Sequence, residues 1–322
     1  HVDAPKLLKI KTRAFQNCAN LKSANLPSVV AIEGSGFAGN ESLERVISPK
    51  LTNVGVSAFS NCTSLKAIDL ENVETLSYRS FLNCSSLEKD VYLPKLTSAR
   101  GTQIFKGSKI TSFIAPKVDN IIYEMLASCT SLKRVEFDSL ETFEYGLLAG
   151  CTALVEAKMP KVKNLPSNTF RGCTSFEKFD FSNIESIGDE CFGRCSNLAM
   201  DIVAPKLETM GKSAVWYTSI KSFTAPNLKT IGAAAFAHNR AITLIDLSSV
   251  EVIDGQTFYN CSSLAALIIR NTTPPSLTGV EYFVGASITQ IYVPDEAVET
   301  YKTATKWSSF ASRIKPLSEY EG

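Results

Sequence analysis

The stretch NCTSLKAIDL, residues 61–70, recurs in close copies along the 322-residue chain. The copies read NCSSLEKDVYL from Asn83, SCTSLKRVEF from Ser128, GCTSFEKFDF from Gly172 and NCSSLAALII from Asn260. Taken alone, the stretch fits a glycosylation sequon, a reactive thiol or a short strand. Because a motif repeated this often is rarely an active site, the recurrence favours a structural repeat.

The repeat keeps a nearly constant period. The apolar position three residues after the Cys position falls at Leu21, Leu43, Leu65, Leu87, Ile110, Leu132, Leu154, Phe176, Leu198, Ile220, Ile242, Leu264 and Ile288. Neighbouring positions are 22 residues apart, except for a step of 23 before Ile110 and a step of 24 before Ile288. A register held across nearly the whole chain is typical of a repeat protein.

The pattern within one repeat, residues 55–76, indicates its local structure. Phe59 and Cys62 stand three positions apart, so one helical turn points both to the same side. Ile68 and Leu70 then alternate with small or polar neighbours, which predicts a half-buried strand. A single coil of this size buries too little apolar surface to fold alone, so neighbouring coils must stack and their strands must pair as a parallel sheet.

These residues resemble the BspA-like leucine-rich repeats, also called the Treponema-type class, whose unit reads roughly AFxxCxxLxxIxLPxxLxxIG. The segments SAFSNCTSLKAIDL, residues 57–70, and APNLKTIGAAAF, residues 225–236, match this unit closely. The resemblance covers almost the whole chain. It implies an α/β leucine-rich repeat fold, a right-handed solenoid or horseshoe of about 12–13 coils with a parallel β-sheet and short helical turns. It also implies a bacterial protein that is displayed on cells or secreted, and that binds rather than catalyses.

Both ends depart from the repeat. We assign residues 1–293 to the repeat domain and residues 294–322 to a C-terminal capping segment. In that segment Asp295 can cap a short helix, with Tyr301 and Trp307 available to cover the last coil. At the other end, VDAPKLLKI matches the interior segment IVAPKLETM, so we expect the first coil to be incomplete.

Charge and hydropathy limit the classes of partner that this chain can bind. Lys and Arg number 33 against 32 Asp and Glu, which gives a formal net charge of +1. This balance offers no electrostatic footprint for nucleic acid or for an anionic membrane. No apolar run approaches the roughly 20 residues that span a bilayer, so we expect no membrane insertion. We also expect a monomer.

Eight of the nine cysteines occupy one repeat position, namely Cys18, Cys62, Cys84, Cys129, Cys151, Cys173, Cys195 and Cys261. The ninth, Cys191, takes a small-residue position. We interpret all nine as reduced, at least partly buried fillers between coils. We also expect Cys129, Cys151, Cys173 and Cys195 to form one line. No metal is predicted, because the paired ligands that zinc requires are not present in the pattern.

The sequence predicts no enzyme, no catalytic residue and no cofactor. His238 is the only histidine apart from His1, and no fixed acid pair accompanies it. GSGFAG, residues 34–39, matches a dinucleotide fingerprint by letter. However, Phe37 lies in the Phe position of the repeat and no long helix follows, so the repeat itself explains the match.

Two rows of side chains, each running along an edge from coil to coil, are candidate binding sites. Arg194, Trp216 and His238 lie one coil apart, so we expect them to form a row along one edge with the composition of a binding hot spot. The alternative interpretation is local stacking that protects an irregular coil, since SAVWYTS lacks the Cys. Tyr123 and Tyr145 form a second, shorter row on another edge. The solvent-facing strand position, followed from coil to coil, shows no single chemical theme.

The resemblance implies non-enzymatic binding or adhesion at the bacterial cell surface, toward a protein or glycan on a host or neighbouring cell. The alternative is a structural spacer that holds another domain away from the cell. An exposed aromatic patch favours the binding protein, and a uniformly polar surface favours the spacer.

The Trp216→Ala variant distinguishes the two interpretations of the first row. If Trp216 is an exposed anchor, the variant should fold almost normally and lose about 2 kcal/mol or more of binding free energy. If the ring only protects the coil, stability should fall and binding should not change. A thermal melt and a binding isotherm measure these two outcomes.

Overall fold

The computed structural model describes residues 1–99 and 101–321. The chain divides into two compact units. The N-terminal unit comprises residues 1–162 and 172–176, and the C-terminal unit comprises residues 163–171 and 177–322. Each unit is a stack of short coils, and each coil contributes short strands to parallel sheets.

The strands of the N-terminal unit are two or three residues long. They are, in chain order, β1 (Val2–Asp3), β2 (Lys9–Ile10), β3 (Ser23–Asn25), β4 (Ala31–Ile32), β5 (Arg45–Ile47), β6 (Asn53–Val54), β7 (Ala67–Ile68), β8 (Thr75–Leu76), β9 (Asp90–Tyr92), β10 (Ser98–Ala99), β11 (Ser112–Ile114), β12 (Asn120–Ile121), β13 (Arg134–Glu136), β14 (Thr142–Phe143) and β15 (Glu156–Lys158). The odd-numbered strands form the sheets β1-β3-β5-β7 and β9-β11-β13-β15, and the even-numbered strands from β2 to β14 form another sheet.

The C-terminal unit repeats this arrangement. Its strands are β16 (Asn164–Leu165), β17 (Ser186–Ile187), β18 (Asp201–Val203), β19 (Thr209–Met210), β20 (Ser222–Ala225), β21 (Thr230–Ile231), β22 (Leu244–Leu247), β23 (Val252–Ile253), β24 (Ala266–Ile269), β25 (Ser276–Leu277), β26 (Gln290–Val293) and β27 (Ile314–Pro316). They form the sheets β18-β20-β22-β24-β26-β27 and β16-β17-β19-β21-β23-β25.

The strand register confirms the predicted repeat. Phe223 pairs with Ile245, which pairs with Leu267, so each partner lies one repeat further along the chain. The leucine-rich repeat solenoid with parallel strands is therefore confirmed. The described residues form about 14 turns, slightly more than predicted, because β1 already pairs with the next coil and β27 adds a final strand.

The corner that precedes each main-sheet strand is not the short helical turn that we predicted. Its N–H groups alternate between two kinds of acceptor. Ser60 and Cys62 donate to carbonyls three residues earlier, whereas Phe59 and Asn61 donate to carbonyls of the next coil at 2.8 Å. This alternation requires a left-handed backbone at Asn61, with φ of 59°. A continuous helix would keep all of these bonds within the coil, so the bonds between coils replace it.

The cap covers the last coil with the predicted aromatic residues. It contains the helix α1 (Val298–Thr303) and 3-10 turns at Asp295–Ala297, Trp307–Arg313 and Leu317–Glu319. Tyr301 and Trp307 are buried against each other, and the Trp307 indole donates to the Pro275 carbonyl at 2.8 Å. Contrary to the prediction, the Asp295 side chain does not cap the helix. Its carboxylate instead accepts from the Ser318 N–H at 3.0 Å.

The Phe position of the repeat forms stacks inside each unit. Neighbouring rings lie nearly parallel with centroids 5.0–5.5 Å apart along Phe15, Phe37, Phe59, Phe81 and Phe105. In the C-terminal unit Phe258 and Phe283 stack at 5.2 Å. These offset contacts match the spacing of paired strands, about 4.8 Å, so side chains and backbone impose the same distance between coils.

The Cys position forms a column of hydrogen bonds. The Cys62 thiol donates to the Phe37 carbonyl at 3.0 Å, a residue 25 positions earlier and in the preceding coil. In the same way, the Cys151 thiol donates to the Leu126 carbonyl and the Cys261 thiol donates to the Phe236 carbonyl, both at 3.1 Å. Each of these buried carbonyls also accepts a hydrogen bond from its own coil, as Leu126 does from the Cys129 N–H at 3.2 Å. The thiol therefore supplies a second donor, which links neighbouring coils.

Burial makes these thiols poor nucleophiles. It raises the pKa of Cys62, Cys129, Cys191 and Cys261 to about 12 and raises that of Cys84 and Cys151 well above the usual value. All nine cysteines are free, as predicted.

The burial prediction is wrong for Cys18, which is exposed. Its thiol approaches the Gln16 carbonyl of its own coil, at 4.0 Å, rather than a carbonyl of another coil. Cys129, Cys151 and Cys173 donate in turn to three successive coils of the N-terminal unit, whereas Cys195 lies in the C-terminal unit.

We predict that Ellman's reagent modifies one thiol, Cys18, in the folded protein and nine in denaturant. The other eight are buried, and a thiol with a raised pKa is almost entirely protonated at pH 8. Absorbance at 412 nm counts the modified groups. A Cys18→Ala variant should count none when folded, and rapid modification of several thiols in that variant would contradict the predicted burial.

We also predict that Cys151→Ala lowers the free energy of unfolding by about 0.5–1.5 kcal/mol, because it removes the hydrogen bond between coils to the Leu126 carbonyl, which keeps only the Cys129 N–H. Urea unfolding followed by circular dichroism measures the change. Cys18→Ala is the matched control and should leave the free energy within about 0.5 kcal/mol of the parent. Equal effects of the two substitutions would show that the hydrogen bond contributes nothing.

Candidate functional site

The candidate sites lie at the corners of the coils. The residue before the Cys position has a left-handed backbone in successive coils, and in the C-terminal unit this position holds Arg194, Tyr217, His238, Asn260 and Gly285. A side chain there points away from the core, since the next residue takes the inward Cys position. The fold therefore tolerates residues of different size and charge at this corner.

The structure places Trp216 one residue away from the position we predicted for it. Thr218 occupies the Cys position of that coil, buried and donating to the Val215 carbonyl at 2.9 Å. Tyr217, not Trp216, therefore stands in the row with Arg194 and His238. The segment between Thr218 and Ile220 is one residue shorter than in regular coils, so counting back from Ile220 gave the wrong register.

Arg194, Trp216, Tyr217, His238 and Tyr259 form one contiguous cluster, which we call the aromatic corner. The Arg194 guanidinium lies 5.0 Å from the Trp216 ring, and Trp216 meets Tyr217 edge-on at 4.9 Å. Tyr217 stacks on His238 at 4.2 Å with an interplanar angle of 11°, and Tyr259 contacts His238 at 5.5 Å. The cluster thus spans successive coils through ring contacts.

Within the aromatic corner, Tyr217 rather than Trp216 presents the free surface. Tyr217 is 43% exposed, whereas Trp216 is half-buried. The Trp216 Nε1 atom is buried without a hydrogen-bond partner in the described part of the chain. It lies directly against Gly193, where any Cβ atom would collide with the indole. The absence of a side chain at Gly193 therefore makes room for the Trp216 ring, which in turn packs edge-on against Tyr217.

The ionisation of His238 is tuned by its surroundings. Burial lowers the pKa of the imidazole, and the positive charge of Arg240 lowers it further. His238 is therefore neutral at pH 7 and stacks on Tyr217 as an uncharged ring. Its Nδ1 atom lies 3.5 Å from the Asn260 amide nitrogen, which helps to fix the orientation of the ring.

The second candidate row lies in the N-terminal unit at a different corner. Tyr123 and Tyr145 are 50% and 46% exposed, and Tyr78, which is 37% exposed, occupies the same corner two coils before Tyr123. We call these three residues the tyrosine edge. Tyr78 is not predicted from the sequence, because Thr102 takes the intervening coil. The shared spacing from the following Phe position, as in Tyr78 before Phe81, was the available signal.

The strand faces present mixed chemistry, as predicted. In the N-terminal unit one row pairs Tyr92 with Ile114, and Ile114 with Glu136. In the C-terminal unit, the alternation of the strands predicts that Ile268 and Tyr292 face solvent, but both are buried. The Tyr320 ring packs on Tyr292 at 5.0 Å, so the end of the chain covers part of this face.

Across residues 1–99 and 101–321, no group of three or more His, Cys, Asp or Glu side chains is arranged to hold a metal ion. Within the same range no helix combines the length and apolar character needed to cross a membrane. A cavity of about 220 Å³ lies beside the cap, lined by Pro275, Leu277 and Trp307, and the Lys306 ammonium next to it donates to the Leu277 carbonyl.

Comparison with solved structures supports the fold. A leucine-rich repeat protein from Bacteroides ovatus is 21% identical, with a TM-score of 0.65, and the match covers 98% of this chain and 91% of that chain. A leucine rich cell surface protein from Faecalibacterium prausnitzii matches at 19% identity over 84% of this chain and 79% of its own, with a TM-score of 0.35. The pneumococcal vaccine antigen PcpA matches at 15% identity over 97% and 83%, with a TM-score of 0.39. The similarity to the Bacteroides ovatus protein supports the same fold for this chain.

Comparison with sequence families identifies the repeat. No curated protein matches the chain. The model of the BspA type leucine rich repeat region matches residues 8–133, 119–243 and 218–311, with six copies. These matches run without a gap from residue 8 to residue 311 and contain the Phe and Cys positions described above. The chain therefore belongs to the BspA-type leucine-rich repeat family.

Proposed function

We propose that this chain is a non-enzymatic binding protein of the bacterial cell surface, and that the aromatic corner contacts a protein or glycan on a host or neighbouring cell. The observation that carries the proposal is the exposed Tyr217 ring, stacked on His238 and supported by Trp216. Membership of a family whose members are usually displayed or secreted supports the location. The protein acts as a monomer and binds no nucleic acid, in keeping with its net charge of +1.

The aromatic corner has the physical properties of a binding anchor. Tyr, Trp and Arg are the residue types most enriched among binding hot spots. Ring contacts on both sides already restrict Tyr217, so little side-chain entropy is lost when a partner covers it. Arg194 lies over the Trp216 ring and keeps its donors available for a carboxylate or a carbonyl.

A structural spacer is the second candidate, and the ion pairs between coils favour it. Lys11 pairs with Glu33 and Lys66 with Glu44, each at 3.0 Å. Lys163 pairs with Glu185 at 2.9 Å. Such pairs satisfy the surface charges within the protein and stabilise it only slightly. A surface built in this way suits a spacer, whereas the aromatic corner is better explained by binding.

We predict that Tyr217→Ala preserves folding and weakens binding by about 2 kcal/mol, because the corner accepts Asn260 and Gly285 in later coils. Trp216→Ala should instead lower the melting temperature, since Trp216 is half-buried against Gly193. The purified, fluorescently labelled chain is titrated onto epithelial cells and onto neighbouring bacteria, and flow cytometry measures the bound protein.

The control for this prediction is Tyr92→Ala, which removes a tyrosine of comparable exposure from the strand face of the N-terminal unit. It should bind as the parent does. Loss of binding with Tyr92→Ala but not with Tyr217→Ala would place the contact elsewhere. No saturable binding to any cell, together with full folding, would favour the spacer.

A further inference from the structure

The tyrosine edge has a repeating geometry that the aromatic corner lacks. Tyr78, Thr102, Tyr123 and Tyr145 occupy one corner position in four successive coils. The backbone bonds between coils fix this order, because the residues after the first three donate in turn to the carbonyls of Thr102, Tyr123 and Tyr145 at 3.0–3.1 Å. Since paired strands lie about 4.8 Å apart, the row from Tyr78 to Tyr145 spans about 14 Å.

The three tyrosines are the exposed aromatic side chains of this edge, and Val56, which is 49% exposed, holds the same corner position in the coil before Tyr78. Between the tyrosines, Thr102 leaves a gap of one coil rather than a bulky obstacle. The edge therefore offers a line of aromatic surface parallel to the direction in which the coils stack. A long, straight ligand can contact it at several points at once, and each contact adds to the others.

A fixed chain of polar side chains runs beside the tyrosines. The Arg79 Nε atom donates to Gln103 Oε1 at 2.9 Å, and Gln103 Nε2 donates to Glu124 Oε2 at 2.7 Å. Lys106 Nζ donates to the same Glu124 oxygen at 2.7 Å. The Arg79 guanidinium also lies 4.7 Å from the Tyr78 ring. These groups hold one another in place, so they are organised before any ligand arrives.

The charges of the described residues at this edge cancel. Arg79 and Lys106 are positive, and Glu124 and Glu144 are negative. Hydrogen bonds from Lys106 and Gln103 keep the pKa of Glu124 below its usual value, so that carboxylate stays ionised. A hydrogen bond to Glu144 raises the pKa of the Tyr123 hydroxyl. An edge without net charge gives no attraction to a polyanion such as nucleic acid or an acidic glycan.

We infer that the tyrosine edge binds an extended, uncharged polysaccharide. A sugar ring has an apolar C–H face, which packs on an aromatic ring, and a rim of hydroxyl groups, which exchange hydrogen bonds with amide, guanidinium and carboxylate groups. The repeat of a straight pyranose chain is close to the coil spacing of about 4.8 Å, so successive sugars meet successive coils. The site lies in a different unit from the aromatic corner and does not depend on the function proposed there.

Affinity electrophoresis of the full chain tests the inference. The protein runs in native gels that contain barley mixed-linkage β-glucan, hydroxyethyl cellulose, galactomannan, polygalacturonate or gelatin. We expect retardation by at least one of the three uncharged polysaccharides and none by polygalacturonate or gelatin. Tyr123→Ala and Tyr145→Ala should each lower the affinity about tenfold, the usual size of an aromatic anchor effect. Tyr123→Phe keeps the ring and should stay within about threefold of the parent.

Two matched variants make the result specific. Tyr92→Ala removes a tyrosine of similar exposure from the strand face of the same unit and should not change the retardation. Thr102→Tyr fills the gap in the row and should strengthen binding. The alanine variants should melt like the parent, since the same corner position accepts Gly34 and Thr102.

Several outcomes would overturn the inference. The first is no retardation by any uncharged polysaccharide. The second is an equal loss of retardation with Tyr92→Ala. The third is retardation by polygalacturonate alone, which would indicate an electrostatic site. Retardation by gelatin that disappears in the same tyrosine variants would assign the edge to an extended peptide instead. None of these results would bear on cell binding through Tyr217, which is measured separately.

Discussion

Each coil satisfies part of the backbone hydrogen bonding in its corner turn and leaves the rest to the coil beside it. Around Phe59, alternate N–H groups donate within the coil and to the carbonyls of Ser80 and Leu82 in the next one. Because an unpaired buried backbone group costs free energy comparable to a lost hydrogen bond, a shift of one residue between coils would leave several groups without partners. This constraint maintains the period of the repeat and places the Phe rings at stacking distance.

The thiol column follows from the same constraint and explains why so many cysteines carry no redox or metal chemistry. The Cys position takes a small side chain, which in most coils donates to a carbonyl of the preceding coil. Asn40 meets the requirement by donating to the Phe15 carbonyl at 2.7 Å, and Asn239 by donating to Val215 at 2.6 Å. Thiol chemistry is therefore not what the position selects, and burial keeps the thiols protonated.

The fold leaves chemical freedom at the corners, and both candidate sites lie there. A left-handed backbone costs about 1–3 kcal/mol for a residue other than glycine. The bonds between coils hold the backbone in this conformation at Arg194, Tyr217 and His238 whatever the side chain is. Side chains at these positions contribute little to the core, so they can vary from coil to coil. Binding chemistry can therefore change without altering the solenoid.

The sequence alone determined the repeat, the parallel pairing, the inward Phe and Cys positions and the aromatic residues of the cap, because periodic burial leaves a periodic pattern. It also located Arg194, His238, Tyr123 and Tyr145 at coil edges. Only the tertiary structure decided that Tyr217 replaces Trp216 in its row and that Cys18 is exposed. Register near a shortened turn depends on which residue reaches the carbonyl of the preceding coil, and exposure depends on whether a neighbouring coil is present. Both are contacts between distant residues, which a local pattern does not encode.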